Sequence, residues 1–299
     1  MKSSKKSAYA GLIFVIFVWG ISPLLTLEFY KYYSPTIRIT FSSLICSVAL
    51  LLISHKKLKL LNSDYLKVAI PTGFFMALAN ILQKIGLQYT TPTHYSFLEN
   101  LSVLVVPILL IFFIKKKPSV LTVLGAVLCL ISSFILSGMF SDKSDISLVG
   151  DILCALAGIL YGVNIAATGA FAKKLYTPLY LMVQMFTEVV VSFIGAIALD
   201  LVNIEKITFS LNIWVAVANV VVVFITSTLC WLIRTNAMKK VDATVVAVMM
   251  PFSSVVTTIV SIIADKDTLS ITLVIGVLLG LTAIILSGLG DREYKKQVE

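Results

Sequence analysis

Two carboxylates, Glu99 and Glu188, stand well inside long apolar runs of a 299-residue chain that holds only 15 acidic residues. An ionisable group at mid-membrane depth costs roughly 2.5–3.5 kcal/mol on insertion scales, so it faces a cavity or a partner rather than lipid. Gln184, Glu188 and Ser192 recur every four residues and share one helical face, and Glu99 shares a face with Tyr95 and Ser102. Further polar stripes are Asn80, Gln83 and Lys84; Tyr161, Asn164 and Thr168; Ser22 and Thr26 beside Pro23; and Ser227, Trp231 and Arg234. Together these stripes can wall one wet cavity. In it Glu99 and Glu188 would bind a cationic or amino-bearing solute, with Trp19, Tyr95, Tyr161 and Trp231 offering aromatic faces to the cation. Burial favours the protonated form of a carboxyl group, so either acid is equally a candidate carrier of a coupling proton. For Glu99 an ion pair with Lys84, on the preceding run, is an open alternative. Arg38 and Arg234 read as structural anchors or ion-pair members, His94 as a polar group near the mouth, His55 as part of a basic loop, and Pro107 and Pro251 as kinks or hinges.

The elements that must position these side chains follow from hydropathy. Hydrophobic residues make up 59% of the chain and charged residues 13%, with mean hydropathy +1.00, against about 45–50% and about 25% in soluble domains. A helix crossing about 30 Å of hydrocarbon needs about 20 apolar residues, and such runs lie near 8–30, 35–54, 65–88, 92–114, 118–139, 148–172, 177–200, 211–236, 242–264 and 270–290. Helix is the expected state because backbone groups in lipid must be satisfied within the segment. Taking the N-terminus as cytoplasmic places seventeen Lys and Arg in inside segments and four outside, namely Lys31, Lys143, Lys206 and Lys266. By the positive-inside rule both termini are then cytoplasmic. The basic N-terminus leads into a run longer than a signal peptide's and is expected to be the retained first span.

An internal repeat underlies the ten runs. Trp19-Gly20 answers Tyr161-Gly162, Pro35 answers Pro178 and Pro107 answers Pro251, at spacings of 142, 143 and 144 residues. The halves also close alike, GAVLCLISSFILSG at Gly125–Gly138 and GVLLGLTAIILSG at Gly276–Gly288. Five spans separate equivalent points, and an odd number inverts the second half. The expected architecture is therefore an all-α integral membrane protein of ten transmembrane helices in two inverted five-helix repeats, 1–140 and 141–299. That symmetry is the one used for alternating access around a midplane site.

At GLQYTTPTHYSFLENLSVLVVPILL, Gly86–Leu110, the chain resembles the drug/metabolite transporter superfamily, in particular its EamA-type branch. Val18–Gly20, Pro35–Thr40 and the proline of the ninth run resemble the family as well, so the likeness covers the whole chain. It implies a central cavity lined by helices one to four and six to nine, with five and ten peripheral, and export or exchange of small metabolites. Two departures stand out. The Gly-Glu pair common after the fourth and ninth helices is replaced by Lys115–Lys117 and Asp265–Asp267, and Glu99 occupies a site where the family more often has a small or hydroxyl residue.

The function expected is secondary transport of a small organic metabolite, an amino acid, an amine or a drug-like cation, by an exporter or proton-coupled exchanger in the cytoplasmic membrane of a prokaryote. No GxxxxGK[ST] loop and no soluble domain for ATP occurs, and no cofactor is expected. The basic clusters alternate with apolar runs, which reads as topology rather than nucleic-acid binding. Cys46, Cys129, Cys154 and Cys230 fall singly in four runs, without metal-ligand spacing. Expected partners are the bilayer, the solute and a coupling proton; a homodimer stays open. A membrane enzyme or lipid-handling protein, and a receptor or scaffold, are the competing classes, the first opposed by two isolated histidines and the second by short loops.

Overall fold

A computed structural model of the chain describes residues 2–86, 88–90, 97–115, 117–136, 148–210, 212–263 and 271–298. The helices are α1 (Lys2–Phe29), α2 (Pro35–Ser54), α3 (Ser63–Gly86), α4 (Ser102–Ile114), α5 (Val120–Leu136), α6 (Leu148–Phe171), α7 (Thr177–Leu201) and α8 (Ile213–Met238). A broken pair, α9a (Ala243–Met249) and α9b (Phe252–Ile263), and α10 (Ile271–Val298) follow. Seven helical stretches are long and apolar enough to cross a membrane, and three shorter apolar ones lie at Val120–Ile135, Ala243–Thr257 and Val274–Gly290. Among the described residues no strand forms; Tyr33 and Phe209 make an isolated bridge.

Helix ends fall where local chemistry puts them. Pro35 and Pro178 open α2 and α7, where a missing N–H costs nothing and φ is preset. Asn212 and Asp242 cap α8 and α9a through their side-chain oxygens. The α2 terminus lacks a cap of its own and takes one from the other half of the chain. Glu205 accepts from the Thr36 N–H (2.8 Å) and from Thr36 Oγ1 (2.6 Å) while itself buried. Glu205→Ala is expected to destabilise the protein by about 1–3 kcal/mol, the cost of a buried donor left unsatisfied; a melting temperature equal to that of the parent would contradict the cap.

The tightest packing runs between the halves. α2 packs on α7 and α5 on α10; α3 packs on α6, as α8 does on α1; and α4 packs on α6, as α9b does on α1. Each contact maps onto itself or onto another when five is added to the helix number, as a two-fold relation requires. Glycines allow close approaches between helices. A Cβ on Gly20 would meet Val256 and the Ser253 carbonyl of α9b at 2.5–2.8 Å, and one on Gly162 would meet Val105 and Ser102 of α4 at 2.6–3.3 Å. These partners are 151 residues apart in both cases, so Pro251 answers Asn100. The spacing of 144 that pairs Pro107 with Pro251 in the sequence therefore joins non-equivalent positions, two helical turns apart. In keeping with this register, the helical path breaks at Asn100-Leu101 and again at Met250-Pro251. At both breaks the chain tightens to three-residue bonds, Val103 N–H to Asn100 and Leu104 N–H to Leu101, Ser253 N–H to Met250 and Ser254 N–H to Pro251.

Lys57, Lys173, Lys174 and Lys239 gather around the α6–α7 turn and form a basic face. There the α6–α7 turn is gripped from three sides: Tyr65 Oη accepts the Tyr176 N–H (2.9 Å), Lys57 Nζ sits 4.2 Å over the Tyr176 ring, and Lys239 Nζ donates to the Leu175 carbonyl (2.5 Å). Burial lowers the pKa of Lys239 from its ordinary value. Behind this turn Tyr180 Oη bonds Thr72 and Thr168 at 2.9 and 2.8 Å, and an apolar cluster including Leu12, Val106, Ile165, Met238 and Val246 seals the helices. All four cysteines are free and buried.

Candidate functional site

Above that seal the helices part around a cavity of about 590 Å³, which reaches Tyr30 and Arg38 at the opposite ends of α1 and α2. Among the described residues its wall comes from α1, α2, α3, the Phe97–Ser102 segment, α6, α7, α8 and the α9a–α9b break, with none from α5 or α10. Both broken helices present their interruptions to it, through Asn100 and through Met250 and Pro251. Unwound backbone at such depth is tolerated where it lines a cavity.

Glu99 and Glu188 both face this space and are joined through three side chains. Asn80 Nδ2 donates to Glu188 Oε1 (2.7 Å), and Ser43 also hydrogen-bonds Glu188. Tyr161 Oη donates toward Asn80 Oδ1 (2.7 Å) and toward Gln83 Oε1 (2.9 Å), and Gln83 hydrogen-bonds Glu99. A phenol has one proton, so at any instant it serves one acceptor fully, and Tyr161 stands between the partner of one acid and the partner of the other. Removing that hydroxyl in Tyr161→Phe is expected to weaken the site by roughly 1–3 kcal/mol, or about five- to 150-fold in flux. Flux and melting temperature both equal to the parent's would contradict the bridge.

On the far wall α8 carries a π-helical turn at Phe224–Leu229. The Cys230 N–H reaches back to the Ile225 carbonyl, which leaves the Thr226 carbonyl available, and Trp19 Nε1 donates to it at 2.8 Å. Single π turns inside α-helices occur frequently at functional sites; here the turn holds an indole from the other half of the chain. Trp19 and Trp231 meet edge to face, centroids 5.5 Å apart, and Arg234 lies 4.6 Å from the Trp231 centroid and 5.7 Å from that of Trp19. A desolvated cation–π contact contributes about 2 kcal/mol or more, against an effective burial cost of several kcal/mol for an ion.

Of the side chains singled out from sequence, Glu99, Glu188, Trp19, Tyr161, Asn80, Gln83 and Trp231 line the cavity. Asn164 and Gln184 do not. Asn164 Nδ2 donates to the Thr72 carbonyl (2.8 Å), turning the amide into the α3–α6 contact. Gln184 is buried where Gly73 lets α3 approach its backbone; a Cβ on Gly73 would lie 2.6 Å from the Gln184 carbonyl. Tyr95 and His94 lie outside the described residues. Lys84 shares the cavity and lies within electrostatic range of Glu99. The wall also includes Ser42, Ser43, Asn100, Ser253, Ser254 and Thr257, which sequence reading passed over. Ser253 and Thr257, four residues apart, were legible as a stripe.

A model of the EamA-like transporter family matches the chain twice, over residues 6–138 and 148–289. A crystal structure described only as that of a protein is similar over 96% of this chain and 98% of its own, with a TM-score of 0.75 and 15% sequence identity. At that identity the likeness shows the fold alone. No curated protein matches the chain.

Proposed function

The chain belongs to the EamA-like transporter family and is a multi-pass integral membrane transporter of small solutes, and from that membership we propose that it moves an amino-bearing organic metabolite across the cytoplasmic membrane of a prokaryote by alternating access. In this reading all ten apolar helical segments span the bilayer, in inverted repeats 1–140 and 141–299, with both termini and the basic face in the cytoplasm by the positive-inside rule. The cavity then opens outward, and the cluster around Leu12, Val106 and Ile165 forms the closed inner gate. Exchange of gates between the two repeats turns the outward state into an inward one.

The observation that carries the reading is the pair of carboxylates, Glu99 and Glu188, joined by hydrogen bonds inside one cavity walled by both halves of the chain. One acid receives the amino group of the solute and the other exchanges a proton, so the protein works as an exporter or proton-coupled exchanger. The test is reconstitution in liposomes, with amino acids, amines and quaternary ammonium compounds screened by thermal shift and each hit followed by flux with and without a pH gradient. Flux of an amino-bearing solute that follows the gradient supports the reading. Hits confined to solutes without an amino group, or binding without flux, oppose it.

A further inference from the structure

Two arginines of the described cavity wall, Arg38 and Arg234, have a buried Nε without a hydrogen-bond partner, and Arg234 is the more deeply buried of the two. Its residue is 4% exposed, its Nε is buried without a hydrogen-bond partner, and it forms no ion pair among the described residues. A guanidinium does not shed its proton in a protein, so it cannot escape the cost of burial by becoming neutral. Buried arginines that serve as struts meet a carboxylate in a two-point clasp; Arg234 instead has the faces of Trp231 and Trp19, at 4.6 and 5.7 Å. Indole faces offer it no hydrogen-bond acceptor, and it sits on the cavity wall.

The acids of the cavity do not fill that place. Glu188 is engaged by Asn80 and Ser43, and Glu99 by Gln83, with Lys84 in its field. Glu99 and Arg234 feel each other's charge without pairing. The described wall thus carries Arg38, Lys84 and Arg234 against Glu99 and Glu188, three cations to two anions. A bare amine or quaternary cation would satisfy the acids and leave the guanidinium as it is. A phosphate dianion would satisfy the guanidinium and be opposed by the acids.

We propose that Arg234, held between Trp19 and Trp231, is the carboxylate-binding subsite of the cavity, so that the solute is a small zwitterion with its carboxylate on Arg234 and its amino group toward the Glu99–Glu188 side. This rests on the transport reading above and narrows it, excluding simple amines and drug-like cations. The planar fork of the guanidinium matches a carboxylate in a way that a lysine ammonium does not.

The experiment compares the twenty common amino acids with the amine that each gives on decarboxylation, by thermal shift and by flux in liposomes, for the parent protein, Arg234→Lys and Arg234→Gln. For the best amino acid, loss of the carboxylate is expected to weaken binding by at least about thirtyfold. Arg234→Gln is expected to bring the amino acid down to the level of its amine, with Arg234→Lys in between. Without solute, Arg234→Gln should melt no lower than the parent, because it removes an unpartnered buried charge, whereas removal of a structural strut would lower the melting temperature. An amine bound as tightly as its parent amino acid, or a carboxylate preference that survives Arg234→Gln, overturns the subsite while leaving transport intact. Carboxylate-dependent binding with no flux keeps the subsite and sinks transport. No response to any member of either set overturns both.

Discussion

Glu188→Gln is expected to abolish flux, by about a hundredfold or more, while the protein stays folded in the membrane; the loss corresponds to roughly 3 kcal/mol, the upper range for a hydrogen bond to a charged group. Glutamine keeps the length of the side chain and an oxygen to accept from Asn80 Nδ2, which lies 2.7 Å from Glu188 Oε1. The amide cannot carry the negative charge that would hold an amino group, nor release a proton. Packing around it is unaffected, since the Ser192 hydroxyl bonds the Glu188 backbone carbonyl and the Thr40 hydroxyl rather than the carboxylate. Flux and melting temperature should therefore separate, the first lost and the second kept. If Glu188 is the proton carrier, residual flux in Glu188→Gln should also stop following a pH gradient. Parent-like flux would remove Glu188 from the site.

Gly158→Ala is the second large effect, and here stability and flux should fall together. Gly158 of α6 lies against the segment that carries Glu99: a Cβ there would collide with the Leu98 carbonyl and approach the Glu99 carbonyl and Cα at 3.0 and 3.2 Å. All three obstacles are backbone, so no side chain can rotate away, and the Phe97–Glu99 turn must shift. Overpacking of this kind costs about 1–3 kcal/mol, and the shift carries Glu99 away from Gln83. A control separates this from the general effect of adding a methyl group to a helix. Gly288 of α10 has no heavy atom within 4 Å of an added Cβ, so Gly288→Ala should be stabilising by about 0.5–1 kcal/mol. Equal melting temperatures for the two variants would contradict the close approach of α6 to the Glu99 segment.

Much of the frame was legible because the bilayer imposes it. Long apolar runs, lysines at alternate ends and the Trp19-Gly20/Tyr161-Gly162 pair are one-dimensional signals, and the glycines of that pair lie so close to α9b and α4 that a Cβ would not fit. The proline pairing misled because two prolines in like surroundings resemble each other whatever their register. Only the partners of Gly20 and Gly162 reveal which positions are equivalent. Within the site, the stripe of Gln184, Glu188 and Ser192 located Glu188, but one helical face is wide enough to serve two neighbours: at Gln184 the backbone meets α3 at Gly73, and the side-chain amide is buried away from the cavity without a hydrogen-bond partner among the described residues. The bridge from Asn80 through Tyr161 to Gln83 depends on how α3 and α6 are rotated about their axes, which periodicity does not encode. The π turn at Phe224–Leu229 lacks any proline or glycine to announce it. Glu205, in the turn after α7, was unreadable as a cap because its client, Thr36, lies 169 residues away.

Alternating access requires that this cavity be exposed to the two sides of the membrane in turn. Ser227 lines it, and the four native cysteines are all buried, so a Ser227→Cys protein offers one thiol at the site over a low background. The direct measurement is its labelling by a membrane-impermeant maleimide, applied to right-side-out and to inside-out vesicles. Labelling from both sides, slowed from both by a transported solute, is the expected result. Labelling from one side alone, unchanged by solute, would contradict alternating access.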